Sequence, residues 1–302
     1  MSVALLSGGT GGAKLARGLY ELLGGELAVI ANTGDDLEIY GAHVSPDPDL
    51  VSFWLADRID ERGYGIYGDS YNAMEMFAQL GHEIWFSLGD RDLALCLERR
   101  QLLESGLSLS EAQASLTSGL GITASVIPMS DDRVRTTVVS GGRTLTLHEF
   151  LIGTRGAAPI EDVRFEGAAQ AAASPAALAA IAAADAIVIG PSNPILSIGP
   201  ILAIAEIRHA IEAAGAPVIA VSPIVGGKVL KGPTAACLAW AGRDADAGGV
   251  AAQYGSLIDA IVADEPVAGI RCLQCDTWMG AAPARRELAR ATLELAGELR
   301  AE

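Results

Sequence analysis

The sequence predicts an α/β protein built on a doubly wound, mostly parallel sheet, with a helical insertion and a small β-hairpin. Three observations carry that expectation. Short apolar runs end in Gly, Asn or Ser turns, the pattern of strands covered on both faces. Alanine- and leucine-rich helical stretches alternate with those runs. Half of the 302 residues are hydrophobic and 19% are charged, enough apolar material for one large core.

Val3 to Leu6 reads as the first buried strand, followed by the glycine turn Ser7-Gly8-Gly9-Thr10-Gly11-Gly12 and an amphipathic helix from Ala13 to Leu23. Leu27 to Ala31 is the next strand. From Leu50 to Gly119 the pattern turns helical, and Ser108-Leu109-Ser110-Glu111 offers a capping box. Arg133 to Val139 and Arg143 to Leu147 alternate Thr and Val about Gly141-Gly142, as a β-hairpin does. Ser174 is placed to cap a helix from Pro175 to Ala184, with Pro at its first position. Ala186 to Ile189, Pro217 to Val221 and Leu257 to Val262 continue the strand series, and a helix from Pro283 to Leu299 closes it. The whole chain, 1–302, is expected to be one domain, with its core at about 1–49 and 175–302 and the insertion at about 50–174.

A net charge of −16 disfavours nucleic acid and anionic membrane as partners, so a phosphate-bearing ligand needs local amides, a few basic side chains or a metal ion. The amino terminus, Met1 to Leu6, has no basic leader, and four cysteines make no disulfide framework. Together these point to the cytoplasm. Cys272 and Cys275 form a Cys-x-x-Cys pair without the second half of a zinc site, and their role stays open.

The opening strand, glycine loop and helix make an anion site in principle, with Lys14 and Arg17 one turn in. The loop fits neither Gly-x-Gly-x-x-Gly nor the P-loop pattern, and a purely structural tight turn is the competing reading. Asn32-Thr33-Gly34-Asp35-Asp36 puts two acids at the carboxyl end of a parallel strand, where Mg²⁺ can be held for phosphates, although Asp and Asn also serve as ordinary turn residues. Ser45-Pro46-Asp47-Pro48-Asp49 and Gly89-Asp90-Arg91-Asp92 are dense polar clusters; the second sets a guanidinium among carboxylates, either for a ligand or as a solvated ion-pair network. Gly190-Pro191-Ser192-Asn193-Pro194 and Ser222 to Lys228 follow strands and are expected to line the same crevice. The four histidines lack metal-ligand spacing and read as packing or surface residues.

Taken in order, these loops resemble the 2-phospho-L-lactate transferase (CofD/FbiA) family of coenzyme F-420 biosynthesis. The matching stretches are Ser7 to Gly11, Lys14-Leu15, Asn32-Thr33, Asp36-Leu37, Ser45 to Asp47, Asp49, Leu88 to Asp92, Pro128 to Asp132, Gly190 to Pro194 and Ser222 to Ile224. The resemblance implies a Rossmann-like core, a homodimer and dependence on Mg²⁺. It implies attack by the ribityl hydroxyl of the deazaflavin FO on a lactyl- or enolpyruvyl-diphosphoguanosine, releasing GMP. By motif position it assigns FO to Asp49 and Arg91, and the guanosine diphosphate group to Gly8, Gly9, Thr10, Gly11, Lys14, Ser192, Asn193 and Pro194. Asp35, Asp36 and Asp49 are the expected metal ligands, and Asp49, Asp36 and Arg91 the expected catalytic set. Gly12-Ala13 and Gly34-Asp35 depart from the archaeal form of the pattern and leave the donor's acyl group open. A CofD-like regulator that binds nucleotide sugars is the alternative from another functional class. An NAD-dependent dehydrogenase is a third reading, opposed by the missing dinucleotide glycine spacing.

Overall fold

The computed structural model describes residues 1–301. Seven strands form one sheet in the spatial order Arg271–Gln274, Ala260–Ala263, Val218–Val221, Ala186–Ile189, Val3–Ser7, Leu27–Ala31, Ser125–Pro128. Every neighbouring pair is parallel. The chain starts at the centre, winds outward to the Ser125–Pro128 edge, then returns to Ala186–Ile189 on the other side of the first strand. Two loops, after Ser7 and after Ile189, therefore leave adjacent strands in opposite winding directions, which is the switch point where such sheets bind ligands.

All five residues of Val3–Ser7 are buried because helices cover both faces. Val3 and Leu5 pack with Leu15, Leu19, Trp54 and Leu288, drawn from the helices Gly9–Leu23, Pro46–Leu55 and Ala282–Ala301. Ala4 and Leu6 face the opposite core with Ile181, Ile201, Ile207 and Val250. A continuous apolar run, not an alternating one, is what two covered faces require.

The first helix starts at Gly9, so the glycine run is its first turn and not a separate loop before Ala13. Its glycines have a packing reason. A Cβ on Gly11 would sit 1.9 Å from the carbonyl oxygen of Pro191, and one on Gly12 would sit 2.3 Å from Ser7 Oγ. Backbone from the two sides of the switch point thus meets at a distance no side chain permits.

The expected insertion at 50–174 is interrupted, because Ser125–Pro128 within it pairs with Leu27–Ala31 and forms the sheet edge. What lies outside the sheet is a helical segment, with helices Asn72–Gln79, Asp90–Glu104 and Leu109–Gly119, and a three-stranded antiparallel sheet. That small sheet contains the predicted hairpin as Arg135–Ser140 and Arg143–Thr146, plus Asp162–Glu166. The Ser108 capping box and the Ser174 cap both form. The run expected as a strand from Leu257 instead opens with a 3₁₀ turn, Gly255–Leu257, and pairs only over Ala260–Ala263. Arg271–Gln274, unforeseen, is the half-exposed edge strand. Cys272 packs against one core and Cys275 against the other, so their side chains lie on opposite faces of the sheet. Among the described residues no helix is long and apolar enough to cross a membrane.

Candidate active site

The two switch-point loops wall a cavity of about 500 Å³. Gly8, Gly9, Thr10, Gly11, Lys14, Ser192 and Asn193 line it, as expected from sequence; Pro194 is buried outside the lining. Asn193 shapes the loop by accepting the amides of Ile195 and Leu196 at 2.9 and 3.0 Å. Ser192 Oγ accepts from Gly8 N at 3.4 Å. The remaining amides of the first helical turn have no intrahelical acceptor and carry the positive end of the helix dipole. Lys231 joins Lys14 in the lining. The Lys14 ammonium stands 6.0 Å from the Trp54 ring centroid and the Arg285 guanidinium 5.0 Å from it. Burial first, then Lys231 and Arg285, lowers the Lys14 pKa. A half-buried cation beside two others suits an anionic ligand.

Two acids face this cavity, Asp35 and Asp47. Asp47 is 5% exposed, accepts Gly9 N at 2.5 Å and Asn32 Nδ2 at 2.9 Å, and is pushed up to about 6, chiefly by burial. Burial, then Asp47 and Asp36, holds Asp35 well above the usual carboxylate range. Asp36, expected as a ligand and catalytic group, turns away. It accepts from Ser45 Oγ at 2.7 Å, lies 3.0 Å from His43 Nε2 and lines neither cavity.

A second cavity, about 700 Å³, lies beyond Asp47, the one residue among those described that lines both. Phe53, Tyr64, Tyr71 and Phe86 give it an aromatic wall. Arg62 lines it too, donating to Tyr71 Oη at 2.9 Å and stacking 4.9 Å from the Tyr64 centroid. Asp49 belongs to this wall, but both its oxygens are held by Arg99, a side chain with no exposure that also donates to the carbonyl of His43. Asp35, Asp36 and Asp49 therefore do not converge; among the described residues the group of three ligating atoms within 4.8 Å is Asp49, Asp92 and Cys96.

Arg91 is exposed, donates to the carbonyl of Tyr67 at 3.2 Å and lines neither cavity. Its neighbour Asp90 is structural: it caps the Asn72–Gln79 helix by accepting the amides of Asn72 and Ala73. Of that cluster, Asp92 reaches the second cavity, pushed up to about 7 by burial and by Asp49 and Asp69. Sequence reasoning left Asp47, Arg62, Asp92 and Lys231 out of the site. The first three carried a signal in their polar clusters or aromatic neighbourhood, whereas Lys231 had none.

A doubly wound sheet with a glycine-rich helix start at its switch point and a second, aromatic cavity alongside defines a Rossmann-like protein with two adjoining cavities. Residues 3–295 match the family model described as 2-phospho-L-lactate transferase CofD, and the chain belongs to that family. It is 39% identical over 318 residues to a phosphoenolpyruvate transferase of Streptomyces griseus, covering 100% of both chains. It is 40% identical over 309 residues to a 2-phospho-L-lactate transferase of Methanopyrus kandleri, covering 99% of both. The fold is shared with a solved member of the UPF0052 family from Bacillus halodurans, with a TM-score of 0.66 and 16% identity over 97% of this chain and 98% of that one.

Proposed function

We propose that the protein transfers a phospholactyl or phosphoenolpyruvyl group from a guanosine diphosphate-linked donor to the ribityl hydroxyl of FO, in F-420 biosynthesis. The observation that carries this reading is that, among the described residues, the two cavities meet at Asp47 alone. The cationic cavity suits a diphosphate, and the aromatic one suits a planar heterocycle with a polyhydroxyl tail. In the reaction the hydroxyl oxygen bonds to the phosphorus that carries the lactate or enolpyruvate unit through its C2 oxygen. The diphosphate P–O bond breaks, GMP leaves with the bridging oxygen, and the hydroxyl gives up its proton. Such transfer depends on positioning and charge stabilisation and needs no covalent intermediate.

The donor set fits Mg²⁺ at Asp35 and Asp47, two oxygen ligands facing the first cavity, where burial and then the neighbouring Asp47 disfavour ionisation of Asp35. Neutralising the diphosphate is what such an ion supplies when bound. Asp49, clamped by Arg99, fixes the acceptor wall, and Arg62 is the guanidinium that this wall presents to FO. Relatives with each acyl donor resemble the chain equally, so incubation with FO, Mg²⁺ and each donor in turn decides between them. Mass spectrometry should show GMP and FO extended by one phospho-acyl group; no product from either donor would sink the proposal.

A further inference from the structure

We infer that Thr277 and Trp278 form the base-binding end of the first cavity, a shelf on which the planar base of a nucleoside diphosphate stacks. This rests on the donor reading above. Both residues line the cavity just after the Arg271–Gln274 edge strand, and neither belongs to the loops that hold phosphate. Trp278 is 55% exposed, unusual for so large an apolar surface in a cavity wall. Its ring is nevertheless held in place. A Cβ on Gly280 would stand 2.4 Å from Trp278 Cζ2, so the indole lies directly on glycine backbone, and the Trp278 amide is tied to Asp276 Oδ1 at 2.8 Å. One part of the ring is supported and the rest is open, which is the form of a stacking platform.

Thr277 supplies the second observation. Its side chain is 2% exposed and lines the same cavity, yet its hydroxyl has no hydrogen-bond partner. A buried hydroxyl without a partner costs stability, and a ligand's polar edge reaching the cavity wall removes that cost. The cavity's size, about 500 Å³, admits a base and ribose beyond the phosphates.

The test is calorimetric titration of GDP and of inorganic pyrophosphate, with Mg²⁺ present, into the wild-type protein and three variants. Trp278→Ala should weaken GDP binding roughly ten- to a hundredfold, the range for losing one stacked base, with pyrophosphate affinity unchanged. Trp278→Phe should keep most of the GDP affinity. Thr277→Val should weaken GDP binding without lowering the melting temperature, since the hydroxyl has no internal partner to lose. Unchanged GDP affinity in Trp278→Ala would overturn the shelf and leave the donor reading standing. Equal weakening of GDP and pyrophosphate would also overturn it, by making Trp278 a support for the whole cavity. A wild-type protein that binds no GDP would overturn both.

Discussion

Asp47 and Asp49 are two residues apart on one helix and do different work. Two helical steps turn a side chain by about 200°, so one acid faces the first cavity while the other points back to Arg99. The sequence displays the acidic cluster but not the rotation, which depends on Pro46 opening the helix. The same limit explains Asp35 and Asp36, adjacent on a turn and directed to opposite sides. Asp92 permits a test at this scale. The folded protein holds its proton up to about pH 7, whereas a free carboxyl loses it near 3.8, so the wild type should lose stability as pH rises through that window. Asp92→Asn removes the titration. By urea unfolding it should match the wild type near pH 3 and exceed it at pH 8, by on the order of 2–4 kcal/mol. Parallel stability curves across that range would show that Asp92 ionises normally.

The first helix illustrates what elements demand of sequence. Its glycine run was readable as either an anion loop or a tight packing turn, and the structure uses it for both, with Gly11 against Pro191 and the helix start open to the cavity. Gly11→Ala should cost about 1–3 kcal/mol as overpacking and should also weaken GDP binding, because the clash pushes the Ser192 loop away. Gly119, also helical but with open space at its Cβ position, is the control: Gly119→Ala should stabilise by about 0.4–1 kcal/mol. Denaturation of the two variants separates a glycine required by contact from one that is not. Central strands were legible because burial on both faces makes them uniformly apolar. The edge strands were not. Arg271–Gln274 is half exposed and Ser125–Pro128 begins on an exposed Ser, so neither shows a clear apolar run.

At the scale of the whole molecule, the winding order was legible from the alternation of strands and helices, and with it the end of the sheet that carries the site. The partition into two cavities was not, since it depends on where the helical segment after Leu50 folds back, and Tyr64, Tyr71 and Phe86 carry no periodic signal. That partition has a kinetic consequence. With Asp47 as the only wall shared among the described residues, the proposed donor and acceptor would each have a cavity of their own, and neither would have to depart before the other enters. Both substrates should therefore be bound together at the moment of transfer. Initial rates measured against one substrate at several fixed levels of the other should give intersecting double-reciprocal lines. Labelled GMP should not exchange into the donor when the acceptor is withheld. Parallel lines with such exchange would mean that the phospholactyl or phosphoenolpyruvyl group rests on the protein between two half-reactions.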